Sequence, residues 1–185
     1  MIWWQRRTAT RPTAQPVPDG EVRSDLLRRS HDDELGATAR RYGGTVVKGT
    51  GDGLILAFQS ASDGLLASVA MQMAVRRLRR RNHDQPPIRI GISAGDVTWE
   101  DGDCFGMPVV EAARLCSFSA PSQTTCASIV VQLARGRVHV PLAALGAGGY
   151  DHSPLANRCD RSSPEVFTPG SGSEYYLVVP NQGGR

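Results

Sequence analysis

A glycine-rich turn beside a lysine is the segment whose residue types first suggest chemistry. Residues 49–53 read Gly-Thr-Gly-Asp-Gly and follow Lys48, the one lysine among 21 basic residues. Such a turn suggests phosphate binding, but it matches neither G-x-x-x-x-G-K-[ST] nor G-x-G-x-x-G. The turn places the Asp52 carboxylate at its apex, between two apolar runs. Asp52 is either a functional residue or a residue that occurs there because Asp and Gly tolerate the backbone angles of a tight turn.

The residues around this turn predict a β-hairpin that follows a helix. Thr45-Val-Val precedes the turn and Leu54–Phe58 follows it, and two apolar runs joined by a few glycine-containing residues are typical of a hairpin. Before the hairpin, apolar residues recur at helical spacing from a cap at Asp19 to a stop at Gly43-Gly44.

Further elements follow in an order that mixes helices with strands. Ser62 and Asp63 open a long helix that ends in an arginine run at residues 76–81, which we interpret as a solvated helix end rather than a binding patch. The remaining predicted elements are a strand at Ile88–Ala94, a protruding hairpin loop at Gly95–Asp103, a helix at Pro108–Cys116, a strand at Thr124–Ser128, a short helix at Ile129–Ala134 and a last strand at Glu174–Val179.

The two ends of the chain lack this regular pattern. We expect residues 1–20 to form a poorly ordered N-terminal arm, because the stretch at 5–20 is rich in Arg, Thr and Pro. The patterned domain covers 21–135. Residues 136–185 form an irregular C-terminal segment, with glycine, proline and serine frequent up to Ser173 and the last strand near its end.

Composition excludes several classes of function. The formal net charge is only +3, so no nucleic-acid partner is expected. No apolar run approaches the ~18 residues of a membrane helix, and the start lacks the features of a signal peptide. The four cysteines form no C-x-x-C pair, which favours reduced thiols. The sequence therefore predicts a cytoplasmic protein with no membrane partner.

Three separated strings resemble the catalytic domain of class III adenylate and guanylate cyclases. They are GGTVVKGTGDGLILAF, IRIGISAGDVTWEDGDCFG and PVVEAARLC, and they occur in the family's order within about residues 21–128. The resemblance implies a ferredoxin-like α/β sandwich that pairs head to tail, with active sites built from both partners. Both ends depart from the family, so the domain resembles a shortened or degraded one that lacks a clear first strand.

The resemblance implies a role for four residues. Asp52 matches the second of two aspartates that hold paired Mg²⁺ or Mn²⁺ ions. Lys48 matches the lysine that reads the purine base, and Asp103 matches the acidic residue that accompanies it, a pair that selects adenine. Arg114 matches the catalytic arginine that stabilises charge on the triphosphate.

Two family residues have no counterpart here. The family's first metal aspartate ends an apolar strand just before the first helix, whereas residues 1–18 contain no acidic residue. An asparagine of the family lies one turn before the arginine, and here that position is Val110. A site with Asp52 alone should hold two cations poorly, because the charge of the oxygen ligands sets affinity for these ions.

The leading hypothesis is a nucleotide cyclase-like domain of cyclic-nucleotide signalling that converts ATP to cyclic AMP and pyrophosphate, impaired on its own. Its partners would be ATP or another purine nucleotide and either a second copy or a complete cyclase domain. A non-catalytic pseudo-cyclase that dimerises or binds nucleotide to regulate a partner is the alternative. A structural domain without a ligand is the weakest reading, because the positions of Lys48, Asp103 and Arg114 all match the family.

Overall fold

The computed structural model describes residues 2–6, 18–144 and 175–178 of the chain. The helices are α1 (Pro18–Arg41), α2 (Ala61–Arg81), α3 (Met107–Phe118) and α4 (Ser128–Ala134). The strands are β1 (Ile2–Arg6), β2 (Thr45–Gly49), β3 (Gly53–Ala57), β4 (Ile88–Ile92), β5 (Thr98–Glu100), β6 (Asp103–Phe105), β7 (Thr124–Ala127), β8 (Leu142–Ala144) and β9 (Tyr175–Val178).

Seven of the strands form one sheet in the order β2-β3-β1-β4-β7-β9-β8, and β5 and β6 form a separate two-stranded sheet. The strands β2, β3, β1 and β4 pair antiparallel throughout, whereas β4 and β7 pair in parallel. The order β2-β3-β1-β4, with α1 and α2 as the two connections on one face, is the ferredoxin-like arrangement. The expected fold class is therefore confirmed.

One part of that expectation is wrong, because the structure contains a first strand. Ile2–Arg6 lies in the middle of the sheet, paired with β3 on one side and with β4 on the other. Five residues give only a weak local signal, and the strand is stabilised instead by two partners distant in sequence. The remainder of the predicted arm up to residue 17 lies outside the described residues.

The main core lies between the sheet and the helices α1, α2 and α4. Alternate side chains of β4 lie in this core, namely those of Ile88, Ile90 and Ile92. Leu54 and Leu56 of β3 lie in it as well. Residues between these positions, such as Gly91, therefore face the other side of the sheet, where α3 packs. The sheet thus has a helix-covered core face and an opposite face that α3 covers in part.

Local sequence explains how α2 begins. The Ser60 side chain accepts a hydrogen bond from the Asp63 N–H at 3.1 Å and donates to the Asp63 carboxylate at 2.9 Å. This reciprocal cap satisfies one of the free N–H groups of the first turn. No helix in the described ranges is both long enough and apolar enough to cross a membrane.

The C-terminal segment contributes two strands to the same sheet. β9 pairs with β7 near the place predicted for a last strand, and β8 pairs with β9 although no strand was predicted at Leu142–Ala144. A three-residue strand has no detectable period of its own. Residues 145–174 and 179–185 lie outside the described residues.

Candidate functional site

A β-bulge in β2 determines the face on which Lys48 lies. Val46 pairs with Leu56 and Lys48 with Ile55, so Val47 is an extra residue without its own partner on β3. Directly opposed residues share a face of the sheet, and Leu56 belongs to the main core whereas Ile55 does not. The bulge therefore places Lys48 on the face opposite α1 and α2.

On that face Lys48 meets the second residue that the sequence predicted for base recognition. The Lys48 ammonium donates a hydrogen bond to Oδ2 of Asp103, which lies on β6 and is 55 residues away in sequence. The other carboxylate oxygen accepts the Cys104 N–H at 2.8 Å. The hydrogen bond from Lys48, followed by that from Cys104, lowers the pKa of Asp103 below its ordinary value of 3.8.

Asp52 lies in the tight turn between β2 and β3. The Thr50 N–H bonds to the Gly53 carbonyl at 2.8 Å, and Gly51 takes a positive φ of 85° that few other residues tolerate. The Thr50 hydroxyl donates to Oδ1 of Asp52 at 3.3 Å. The half-buried carboxylate is thus oriented by its own turn.

The strand beside this turn does not supply a second acidic ligand. β1 is the strand that precedes α1, so its end occupies the place where the resemblance puts the first metal aspartate. Gln5 pairs with Gly53, the residue after Asp52, and β1 reads Ile-Trp-Trp-Gln-Arg. Within the described ranges no three His, Cys, Asp or Glu residues lie close enough to hold a metal. These residues therefore do not fit a two-metal site, and the prediction of Mg²⁺ or Mn²⁺ at Asp52 stays a prediction.

Arg114 lies on α3, and in the described ranges no hydrogen bond or ion pair joins it to Lys48 or Asp103. Gly91 lets this helix lie against β4, because a methyl group there would lie 2.0 Å from the Ala112 carbonyl oxygen. Arg114 is exposed, and no described residue forms an ion pair with it. Val110, one turn earlier, exposes 43% of its surface. The structure therefore brings Lys48 and Asp103 into contact, and among the described residues neither of them bonds to Arg114.

Three polar residues on β4, just after it and on α3 were not singled out from the sequence. The buried Ser93 donates a hydrogen bond to the Glu111 carboxylate on α3 at 2.5 Å. Arg89 pairs with Gln5 across the sheet from Gly53, and its Nε is buried with no hydrogen-bond partner among the described residues. The sequence feature that could have identified Arg89 is its charge, because the rest of the strand Ile88–Ile92 is apolar.

Comparison with known proteins shows that the chain is similar to nucleotide cyclases, although no family model matches it. An adenylate cyclase from Streptomyces coelicolor is 34% identical over 107 residues, which are 51% of this chain and 26% of that protein. The chain spans between 17% and 26% of the length of the four curated relatives.

Solved structures agree over nearly the whole chain. An adenylate/guanylate cyclase/hydrolase from Silicibacter pomeroyi has a TM-score of 0.69 and 27% identity, and the match covers 97% of this chain and 96% of that one. An adenylyl cyclase from P. aeruginosa matches with a TM-score of 0.66 at 21% identity, covering 96% and 91% of the two chains, and this supports the fold. The chain is similar in sequence and in fold to the class III adenylate/guanylate cyclase catalytic domains.

Proposed function

We propose that this chain binds a purine nucleotide and forms the substrate-reading half of a cyclase that converts ATP to cyclic AMP and pyrophosphate in the cytoplasm. The observation that supports this most is the contact between Lys48 and Asp103. An ammonium group can donate to a ring nitrogen of adenine, and a carboxylate can accept from its exocyclic amine. Guanine carries a carbonyl where adenine carries that amine.

Two arginines offer charge for the phosphates. Arg114 is exposed and has no ion pair in the described ranges, so its guanidinium is available to an anion. The unpaired Nε of Arg89 is a second donor, two strands from the Asp52 turn. Guanidinium groups bind phosphate through two parallel hydrogen bonds, which suits a triphosphate.

In the proposed reaction the ribose 3′ oxygen forms a bond to the α-phosphorus and loses its proton. The bond from the α-phosphorus to the bridging oxygen breaks, and pyrophosphate leaves with that electron pair. Negative charge spreads over the α-phosphate oxygens in the transition state, so Arg114 would stabilise that state more than the bound substrate. The chain contributes positioning and charge, and the metal carboxylates would come from a partner domain.

The chain alone should therefore have very weak or no cyclase activity with Mg²⁺ or Mn²⁺. A symmetric homodimer would lack the same aspartate at both sites, whereas a heterodimer with a complete cyclase domain would form one composite site. If the purified chain forms cyclic AMP robustly and Asp52→Ala abolishes this activity, the view that Asp52 alone is insufficient for metal-dependent catalysis is contradicted.

Complementation tests the proposed half-site directly. The chain is mixed with a complete cyclase domain that keeps its aspartates but has lost its own base-reading lysine and its arginine. We expect cyclic AMP formation to be restored by the wild-type chain and by the control Arg80→Ala, but not by Arg114→Ala. Arg80 is an exposed arginine of α2.

A non-catalytic pseudo-cyclase is the second candidate. It is favoured because two family residues are absent, one on β1 and one at position 110. β1 carries no carboxylate beside Asp52, and Val110 has no donor for ribose or phosphate. Demonstrated heterodimers that bind nucleotide without any complementation would support this role, in which the domain regulates its partner.

A further inference from the structure

The hairpin formed by β5 and β6 is a separate two-stranded unit that the chain enters from β4 and leaves toward α3. It forms no strand pairing with the seven-stranded sheet, and its two strands have three residues each. All three residues of β5 are exposed, and Trp99 and Phe105 are 52% and 49% exposed. A two-stranded hairpin of this size is marginal in water, so its position depends on contacts to the rest of the domain.

Two contacts of β6 can supply that anchoring. Cys104 is buried, with 2% of its surface exposed. Its neighbour Asp103 binds Lys48 of β2, which is the edge strand of the large sheet. The ion pair joins the hairpin to a defined position on β2.

The Asp103 carboxylate is well suited to this task. One oxygen accepts the Cys104 N–H and the other accepts the Lys48 ammonium, so the two bonds fix the direction of the side chain. The register of β2 places Lys48 on the face of the sheet where it contacts Asp103. A charge-assisted hydrogen bond between two oriented groups is stronger than a bond between neutral ones.

We infer that the Lys48–Asp103 ion pair positions the β5–β6 hairpin against β2, in addition to any contact with a base. Its two partners are then positioning residues for the exposed Trp99 and Phe105. A nucleotide base that binds at this pair would also set the position of these aromatic side chains, and that second step rests on the proposed function.

Amide hydrogen exchange in residues 98–105 tests the positioning role without any nucleotide. We expect exchange there to rise about two- to fivefold in Lys48→Met and in Asp103→Asn, the range expected for loss of an exposed ion pair. Exchange in β4 should stay unchanged, which shows that the domain remains folded. Arg80→Met is the matched control, since it removes an exposed cation from α2.

The charge-reversed variant Lys48→Asp with Asp103→Lys separates positioning from base recognition. It restores an ion pair between the same two positions, so hairpin protection should return by at least half while adenine recognition is lost. The inference would be overturned if amide exchange in the hairpin is unchanged in both single variants. It would also be overturned if the charge-reversed variant is no better protected there than the single variants. Addition of ATP should slow amide exchange in the hairpin of the wild type but not in that of the variants. If ATP has no effect while the single variants still exchange faster, the result counts against the proposed function and not against the positioning role.

Discussion

Lys48 lies opposite Ile55, although an uninterrupted β2 would place it opposite Leu54 and on the core face. The extra residue Val47 accounts for the difference. Because the side-chain period of a strand is two, a shift of one residue exchanges the two faces. A single inserted residue therefore decides whether the one lysine of the chain reaches Asp103.

Deletion of Val47 should remove the bulge and leave Lys48 in place. Val46 would still pair with Leu56, and Lys48 would follow it opposite Ile55 in a regular ladder. We expect the deleted chain to fold and to retain a low pKa for Asp103, measured by carboxyl NMR titration. A return of that pKa to its ordinary value would show that the bulge itself, and not only the register, orients Lys48.

Substitution of Gly91 by alanine should loosen α3 from the sheet. The new methyl group would lie 2.0 Å from the Ala112 carbonyl oxygen and 2.4 Å from the Cys116 nitrogen, so the helix must move. We expect the free energy of unfolding in urea to fall by about 1–3 kcal/mol. Gly36→Ala in α1 is the control, where the nearest atoms lie at 3.4 Å and a gain of about 0.5–1 kcal/mol is expected. Equal effects of the two substitutions would contradict close packing at Gly91.

Nucleotide preference should depend on Lys48 and Asp103. We expect calorimetry to show tighter binding of ATP than of GTP, because the ammonium donates to a ring nitrogen and the carboxylate accepts from the adenine amine. The double variant Lys48→Glu with Asp103→Cys should lose or reverse this preference. Equal binding of the two nucleotides by the wild type, or an unchanged preference in the double variant, would rule out the assignment.

The ion pair also predicts a pH dependence with a definite sign. The hydrogen bond from Lys48 lowers the pKa of Asp103 in the folded chain below 3.8. The stabilisation is therefore present at pH values above 3.8 and is lost as the pH falls through the lower, folded value. In Lys48→Met the pKa of Asp103 measured by NMR should rise, whereas in Arg80→Met it should not change. The same low value in Lys48→Met would assign the shift to the Cys104 N–H instead.

The sequence predicted the elements around the site well, because their patterns are local. The helix from Asp19, the hairpin around Asp52 and the helix that carries Arg114 each have a period and a boundary signal within their own residues. The structure begins and ends these elements within a few residues of the predicted positions. Capping and turn residues act over three or four positions, and this is the range that a sequence shows directly.

Most of the missed features depend on distant residues. β1 is a strand because it pairs with Gly53–Leu56 and with Ile88–Ile92, and Ile2–Arg6 alone gives only a weak signal for it. The bulge at Val47 is visible only once β2 is aligned with β3. The bond between Ser93 and Glu111 joins a strand end to a helix 18 residues later. Such features are decided by pairing and packing rather than by local propensity.

The central place of β1 has a consequence for the nascent chain. Its two neighbours lie far downstream, and the second of them ends at Ile92. A ribosome that adds 5–20 residues per second needs roughly 4 to 17 s to pass from Arg6 to that point. Throughout this interval at least one edge of β1 lacks its partner strand and can pair with another extended segment. Nascent chains on neighbouring ribosomes of one mRNA could therefore exchange β1, and slower translation would lengthen the time in which this exchange can occur.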